Sequence, residues 1–474
     1  MNTSHINRLE TIVGPANCLT AEVDTASYTT DYRKVYSGRA LAVVRPADTQ
    51  QVSDVMAYCY ANEIAVVPQG GNTSLVGGSV PTETVAGMPC VVLSLSRLKK
   101  VRSIDPQNDT MVVEAGVTLS DARAAAESVD RLFPLRIGSE GTCQIGGNLS
   151  TNAGGTAVLR YGNMRELVLG LEVVLPDGEV WNGLRELRKD NTGYDLKQLF
   201  VGSEGTLGVI TAAVLKLFPK PRSISTALLA TKSPDTALQL LGLLKTRLGN
   251  AVTAFELISA PALRLVLEHL PDEAPPFAEA HEWLLLVEAS SQAEQAEADD
   301  FFHCALTDAY DQGLVIDALL ATSETQAKRF WRLREEISDA QTRTGGSVRC
   351  DISVPLSAIP AFIERAVASV LSLEPATRMV VYGHMGDGNV HFNPLRPSAI
   401  TASDFVSKLG SKITEVVDSL ATSLGGSISA EHGVGIGKRD ELLSVKSRVE
   451  LKTAWRIKLA LDPKNLLNPG KVLP

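Results

Sequence analysis

From Leu41 onward the apolar and polar positions alternate between two rhythms. LAVVR (41–45) is a short strand-like run, and the stretch DTQQVSDVMAYCYANE that follows carries apolar residues at Val52, Val55, Met56, Cys59 and Tyr60. That spacing is the stripe of one helical face. IAVVP (64–68) then reads as a buried strand. VVLSL, TMVVEAG, LVLGLEVVL and GVITAAVLKLF are further β-rich runs, and Asp177-Gly178 after Pro176 marks a hairpin turn. Residues 1–222 are therefore expected to form an α+β domain rich in glycine loops.

PKPRS (219–223) ends the last of these strands with closely spaced breakers and basic residues, and the rhythm changes. ISTALLATK, AVTAFELIS, EWLLLVEAS, LVIDALLA, SVRCDISVP and RMVVYGH read as strands, separated by helical stretches such as DTALQLLGLLKTRLG. The spacing predicts an α/β domain over 223–403, an antiparallel sheet covered by helices on one face. The remainder, 404–474, reads as a mostly helical C-terminal part that closes the active site and ends in DPKNLLNPGKVLP.

Length agrees with several domains, because 474 residues exceed what one core organises. With 44% hydrophobic and 21% charged residues the chain can bury a large core. A net charge of -9 is a poor match to a phosphate backbone, so nucleic acid is excluded as a partner. The start, MNTSHINRLE, lacks the basic and apolar regions of a secretory signal, and no run reads as a bilayer span; a cytoplasmic location is the expectation. Six cysteines without CxxC spacing fit reduced, buried thiols.

The segment VVPQGGNTSLVGG (66–78) follows a strand and packs Gly70, Gly71, Gly77 and Gly78 with Asn72, Thr73 and Ser74. Glycines let backbone N–H groups approach a phosphate, and short hydroxyl and amide side chains add donors. A P-loop lysine is missing, which disfavours a nucleoside triphosphate and leaves a pyrophosphate as the better fit. No GxGxxG follows the first strand, so the doubly wound dinucleotide fold is disfavoured as well. Two more clusters follow, GSEGTCQIGGNLSTNAGGTAVLRYG (138–162) and VGSEGTLGVI (201–210). Each alone is equally well a set of tight turns; three together point to a cofactor.

In order and spacing, PQGGNTSLVGG, IGGNLSTNAGG and GSEGTLGVIT resemble the FAD-binding domain of the vanillyl-alcohol oxidase type of flavoenzymes. The resemblance implies that Pro68, Gly70, Gly71, Asn72, Thr73, Ser74, Gly77 and Gly78 hold the pyrophosphate. It further implies that Gly138, Ser139, Gly141, Thr142, Gly146, Asn148, Asn152, Gly154 and Ile210 line the rest of the FAD. Some relatives attach the flavin through a histidine in these loops, and none occurs there in this chain, so non-covalent FAD is expected.

Of seven histidines, three lie in two glycine-rich motifs. His384 and His391 in YGHMGDGNVHFN are seven apart, on opposite faces of a straight strand, but Gly386 and Gly388 let the chain turn between them. Converging imidazoles joined by Glu431 of SAEHGVG give the N/N/O ligand set of a catalytic divalent metal with an open position. His432 is then left beside the metal as candidate base. Asp387 is a candidate fourth ligand, although an Asp between glycines more often holds a turn.

YGHMGDGNVHFN and SAEHGVGIGKRDEL resemble the substrate side of the D-2-hydroxyglutarate, D-lactate and glycolate dehydrogenase branch, and LDPKNLLNPGKV resembles its C-terminal signature, which adds Asn468 as a flavin residue. By that resemblance His384, His391 and Glu431 bind zinc or a similar ion, Asn393 contacts substrate, and His432 is the base. Arg334, Ser338 and Arg349 match the branch's distal-carboxylate positions, with Arg for Lys at 349 and Ser for Thr at 338. A cation at 349 favours a dicarboxylic substrate, because a buried Arg without an anion carries a heavy desolvation cost. D-2-hydroxyglutarate leads. D-lactate, glycolate or another diacid, and a flavin oxidase using oxygen, stay open. The implied partners are an electron-transfer flavoprotein or a quinone, and a homodimer is the expected assembly.

Overall fold

The stripe Val52, Val55, Met56 and Cys59 is the buried face of the helix Thr49–Ala61 in the computed structural model, which describes residues 2–82 and 88–474. The helix starts at Asp48, whose carboxylate accepts a hydrogen bond from the Gln51 amide. Its apolar face packs with Ala42, Val44, Val66, Val91 and Leu93 of the strands Ala42–Val44, Ala65–Gln69 and Cys90–Ser94, which run parallel. A short antiparallel strand, Cys18–Leu19, completes this four-stranded sheet.

A second, antiparallel sheet orders Val101–Asp105, Thr110–Glu114, Val209–Lys216, Val168–Val174 and Val180–Gly183. Asp177-Gly178 makes its expected hairpin, with Leu175 N donating to Glu179 O at 2.8 Å and Gly178 at a φ of 95°. Only glycine fits here, since a Cβ would stand 2.7 Å from the Ala57 methyl.

Both sheets belong to one compact unit formed by residues 1–154, 162–220 and 431–474. The other unit comprises 155–161 and 221–430. The expected separate helical part over 404–474 is therefore divided. The helix Ala402–Ser423 carries its own buried stripe, Phe405, Ile413, Val417 and Leu420, and packs in the second unit. The tail instead joins the parallel sheet: Val66 N donates to Leu466 O at 2.8 Å and Asn468 N to Val66 O at 2.7 Å.

The second unit is built on a seven-stranded antiparallel sheet, in the order Asp317–Leu320, Ser223–Thr231, Trp283–Ser291, Val252–Ser259, Arg378–His384, Asn389–Leu395 and Cys350–Ser353. Helices cover both faces, not one as expected. Ala227 and Leu229 point to the helices Pro234–Leu248, Gln295–Asp311 and Ile359–Leu373, whereas Leu228 and Ala230 point to Ala260–His269 and Glu324–Thr344. Successive residues of a strand alternate faces, so an unbroken apolar run requires cover on both. Residues 356–373 also have the length and composition of a bilayer span, contrary to the sequence reading. Ile359, Phe362, Ile363, Ala366 and Val370 are buried against this sheet, and a core helix passes the same compositional test.

Candidate active site

The three glycine loops meet within the first unit. A Cβ on Gly71 would stand 2.1 Å from Thr142 O, and one on Gly70 3.5 Å from Gly147, so the first loop lies directly on the second. Gly205 of the third loop packs on Pro68, and Glu204 N donates to Ser150 O at 2.8 Å. Several polar residues expected to face a cofactor shape these loops instead. Asn72, at a φ of 54°, donates to Ser27 O and Thr30 O and accepts from the Ser79 hydroxyl. Ser74 Oγ accepts from the amides of Val76 and Gly78, and Asn152 Oδ1 from that of Arg165. The Gly138, Gly141 and Gly147 positions face open space, with no described atom within 4 Å of a built Cβ. Gly146 is pressed on Ala115 and Ile210 lies in the buried antiparallel strand.

Glu204 is the hub of this region and was not singled out from the sequence. Its carboxylate accepts from Val434 N at 2.7 Å and Gly435 N at 2.9 Å, just beyond His432. Ile436 N and Gly437 N donate to Val76 O, which fastens the same segment to the first loop. Asn468 donates to Gly78 O and Glu204 O, and its own oxygen accepts from Lys471, so its side chain braces the loops from behind. Burial raises the Glu204 carboxyl despite the opposing pull of the two amides, and lowers Lys471 to about 7. Glu431 and His432 open this segment, with 3.8 Å between Glu431 Oε1 and His432 Nε2.

In the second unit the strands Arg378–His384 and Asn389–Leu395 form the hairpin that the glycines allow, with Gly388 at a φ of 95°. Asp387 Oδ1 accepts from Asn389 N, the turn-holding role. The rings of His384 and His391 stand 5.6 Å apart. His384 Nδ1 lies 2.7 Å from Glu256 Oε1; the carboxylate can only accept, so Nδ1 carries the proton and Nε2 keeps its lone pair. His391 is cross-strand to Asp351, with Nδ1 3.8 Å from Oδ1, and Asn389 Nδ2 donates to that oxygen at 2.9 Å. Ala430 N donates to Asp351 O, and the next residue along the chain is Glu431.

Arg334, expected at a substrate carboxylate, is buried and pairs with Glu256 Oε2 through Nε and Nη2, both at 2.8 Å. Its guanidinium lies 4.7 Å from the Tyr382 ring centroid. Burial alone would raise the Glu256 carboxyl, but its contacts with His384 and Arg334 outweigh it and hold the group at about 2. Arg349 Nη2 donates to Thr342 Oγ1 at 2.7 Å and to Ser338 O, which ties it to the helix Glu324–Thr344. Asn393 accepts from Cys350 N and donates to Gln341 Oε1. Glu256, Asp351 and Gln341 escaped the sequence reading. The one signal was a lone acid inside the apolar run AVTAFELIS.

A model of the FAD binding domain matches residues 40–183, and one of the C-terminal domain of FAD linked oxidases matches residues 220–472. D-2-hydroxyglutarate dehydrogenase, mitochondrial, of Rattus norvegicus is 38% identical over 97% of this chain and 83% of its own. The Arabidopsis thaliana enzyme of the same name is 36% identical over 100% and 82%. The chain belongs to the FAD-linked oxidase family. It is a flavin-dependent oxidoreductase of the branch that holds the D-2-hydroxyglutarate dehydrogenases, and FAD is its cofactor.

The fold agrees: 4-ethylphenol oxidase from Gulosibacter chungangensis superposes with a TM-score of 0.75 over 99% of this chain and 97% of its own, at 19% identity. The loop contacts and the open face at Gly138 and Gly141 suit a flavin cradle. The expected cytoplasmic location is corrected, because the rat and Arabidopsis relatives, like those of cattle and zebrafish, are named mitochondrial. That expectation rested on the lack of a secretory signal, whereas a mitochondrial transit segment is amphipathic and Arg-rich, with no apolar core to find.

Proposed function

We propose that the protein oxidises a D-2-hydroxy diacid, D-2-hydroxyglutarate, to 2-oxoglutarate, with FAD held non-covalently in the three-loop cradle and a divalent ion at His384, His391 and Glu431. The observation that carries this is the pair of imidazoles on one hairpin, each facing a buried carboxylate, with Glu256 setting the tautomer of His384 through Nδ1. Imidazole and carboxylate donors suit zinc and its neighbours. Asp351 and His391 offer ligand atoms within 4.8 Å of one another, and so do Glu431 and His432.

When bound, the flavin supplies the hydride acceptor at N5, and the ion lowers the pKa of the substrate hydroxyl. His432 takes the hydroxyl proton as general base. Asn393 orients the substrate, and Arg334, Ser338 and Arg349 receive its distal carboxylate, for which a guanidinium fork provides bidentate contacts. A protein or quinone acceptor would take up the electrons that the bound flavin receives.

A panel of D-2-hydroxy acids with an artificial acceptor, run on parent and metal-stripped protein, tests this reading. Turnover is expected to be fastest with D-2-hydroxyglutarate, to fail on metal removal and to return with zinc. Full activity after the metal is stripped, or none on any hydroxy acid, defeats it.

A further inference from the structure

Glu256 stands in the strand Val252–Ser259, between its neighbours Trp283–Ser291 and Arg378–His384, and pairs in register with His384. Its side chain is 1% exposed. The two oxygens serve different elements: Oε1 meets Nδ1 of His384 at 2.7 Å, and Oε2 accepts both Nε and Nη2 of Arg334. Arg334 comes from the helix Glu324–Thr344 and also stacks over Tyr382, two residues before His384. A buried ion pair is a weak source of stability, because desolvation cancels most of its Coulomb gain. A guanidinium and an imidazole N–H sharing one buried carboxylate are therefore better understood as a device for position.

We infer that Glu256 is a positioning residue that fixes the tautomer of His384 and the pose of Arg334 together, tying the metal end of the site to its anion end. The inference rests on the proposed function, since it takes His384 as metal ligand and Arg334 as substrate residue. Its force comes from the chemistry of the replacement amide. In Glu256→Gln one oxygen becomes an NH2 donor. Turned to His384, the amide makes Nδ1 an acceptor and moves the ring proton to Nε2, the ligand atom. Turned to Arg334, it sets donor against donors and pushes the guanidinium away. One end must fail whichever way it turns. Glu256→Asp keeps charge and acceptors but falls short by one methylene.

Zinc binding is measured by metal analysis of parent, Glu256→Gln and Glu256→Asp after equilibration with chelator-buffered zinc, with circular dichroism as the check of fold. KM and kcat for D-2-hydroxyglutarate and D-lactate complete the set. Zinc affinity is expected to fall about 10- to 100-fold in Glu256→Gln, with Glu256→Asp between it and the parent. KM for the diacid is expected to rise more than KM for D-lactate. Glu256→Asp decides the matter where the Gln variant does not fold. Folded variants that hold zinc as tightly as the parent, with the KM ratio unmoved, overturn the inference and leave the metal site standing. A parent that takes up no zinc overturns the metal site itself, and this inference with it.

Discussion

The contact between the first two glycine loops makes Gly71→Ala the sharpest probe of the flavin cradle. An added Cβ would stand 2.1 Å from Thr142 O and 2.9 Å from the Cys143 Cα, where ordinary contact begins near 3.4 Å. The loops must part by 3.4 − 2.1 = 1.3 Å along that line. Both obstructing atoms are backbone, so no rotamer relieves the clash, and even a Cβ on neighbouring Gly70 would stand only 3.5 Å from Gly147. Overpacking of this kind costs about 1–3 kcal/mol. Strain that falls wholly on the flavin-bound state weakens FAD binding by roughly 5- to 150-fold, at about 1.4 kcal/mol per decade. Apoprotein titrated with FAD, followed by flavin fluorescence, reads this directly, and the Tm of the apoprotein reads the share borne by the fold. Parent-like FAD affinity with a lowered Tm would show that the loops meet for structural reasons alone and refute the cradle. Gly242→Ala is the control: it lies on an exposed face of the helix Pro234–Leu248 with no described atom within 4 Å, and should leave FAD binding unchanged while adding about 0.5–1 kcal/mol of stability.

Acid precipitation should release all flavin into the supernatant, because the loops contain no histidine to hold it; a yellow pellet contradicts non-covalent attachment. Arg349→Ser should shift preference from D-2-hydroxyglutarate toward D-lactate by about tenfold or more, as one charge-assisted contact is worth about 1.5–3 kcal/mol; an unchanged kcat/KM ratio sinks the diacid reading. Lys471 titrates at about 7 in the fold because burial disfavours its charge, against 10.5 unfolded. Between about 7 and 10.5 the unfolded chain thus binds the extra proton, and stability should rise with pH across that window. Lys471→Met should flatten that rise in Tm, and a parent-like slope in the variant argues against a neutral buried amine.

Much of this protein is set by short-range pattern. The helix Thr49–Ala61 follows from its stripe and its Asp48 cap, the Asp177-Gly178 hairpin from a turn that only glycine completes, and the His384–His391 hairpin from Gly388. In each case residues within one turn or one ladder decide the outcome, so the chain states it locally. Other features depend on partners far along the chain. ISTALLATK does not say that helices cover both faces of its sheet, because a run apolar on both sides leaves the layers unassigned. The tail reads as helix and breakers, yet it pairs with Val66, some 400 positions earlier. Glu256 looks like one polar residue in a strand until His384 and Arg334, 128 and 78 positions away, arrive at its two oxygens. The sequence alone determined the glycine loops, the imidazoles and hence the class of chemistry. Only the tertiary structure decided which carboxylates orient them, because the meaning of a buried charge is fixed by the counter-charge that folding brings to it.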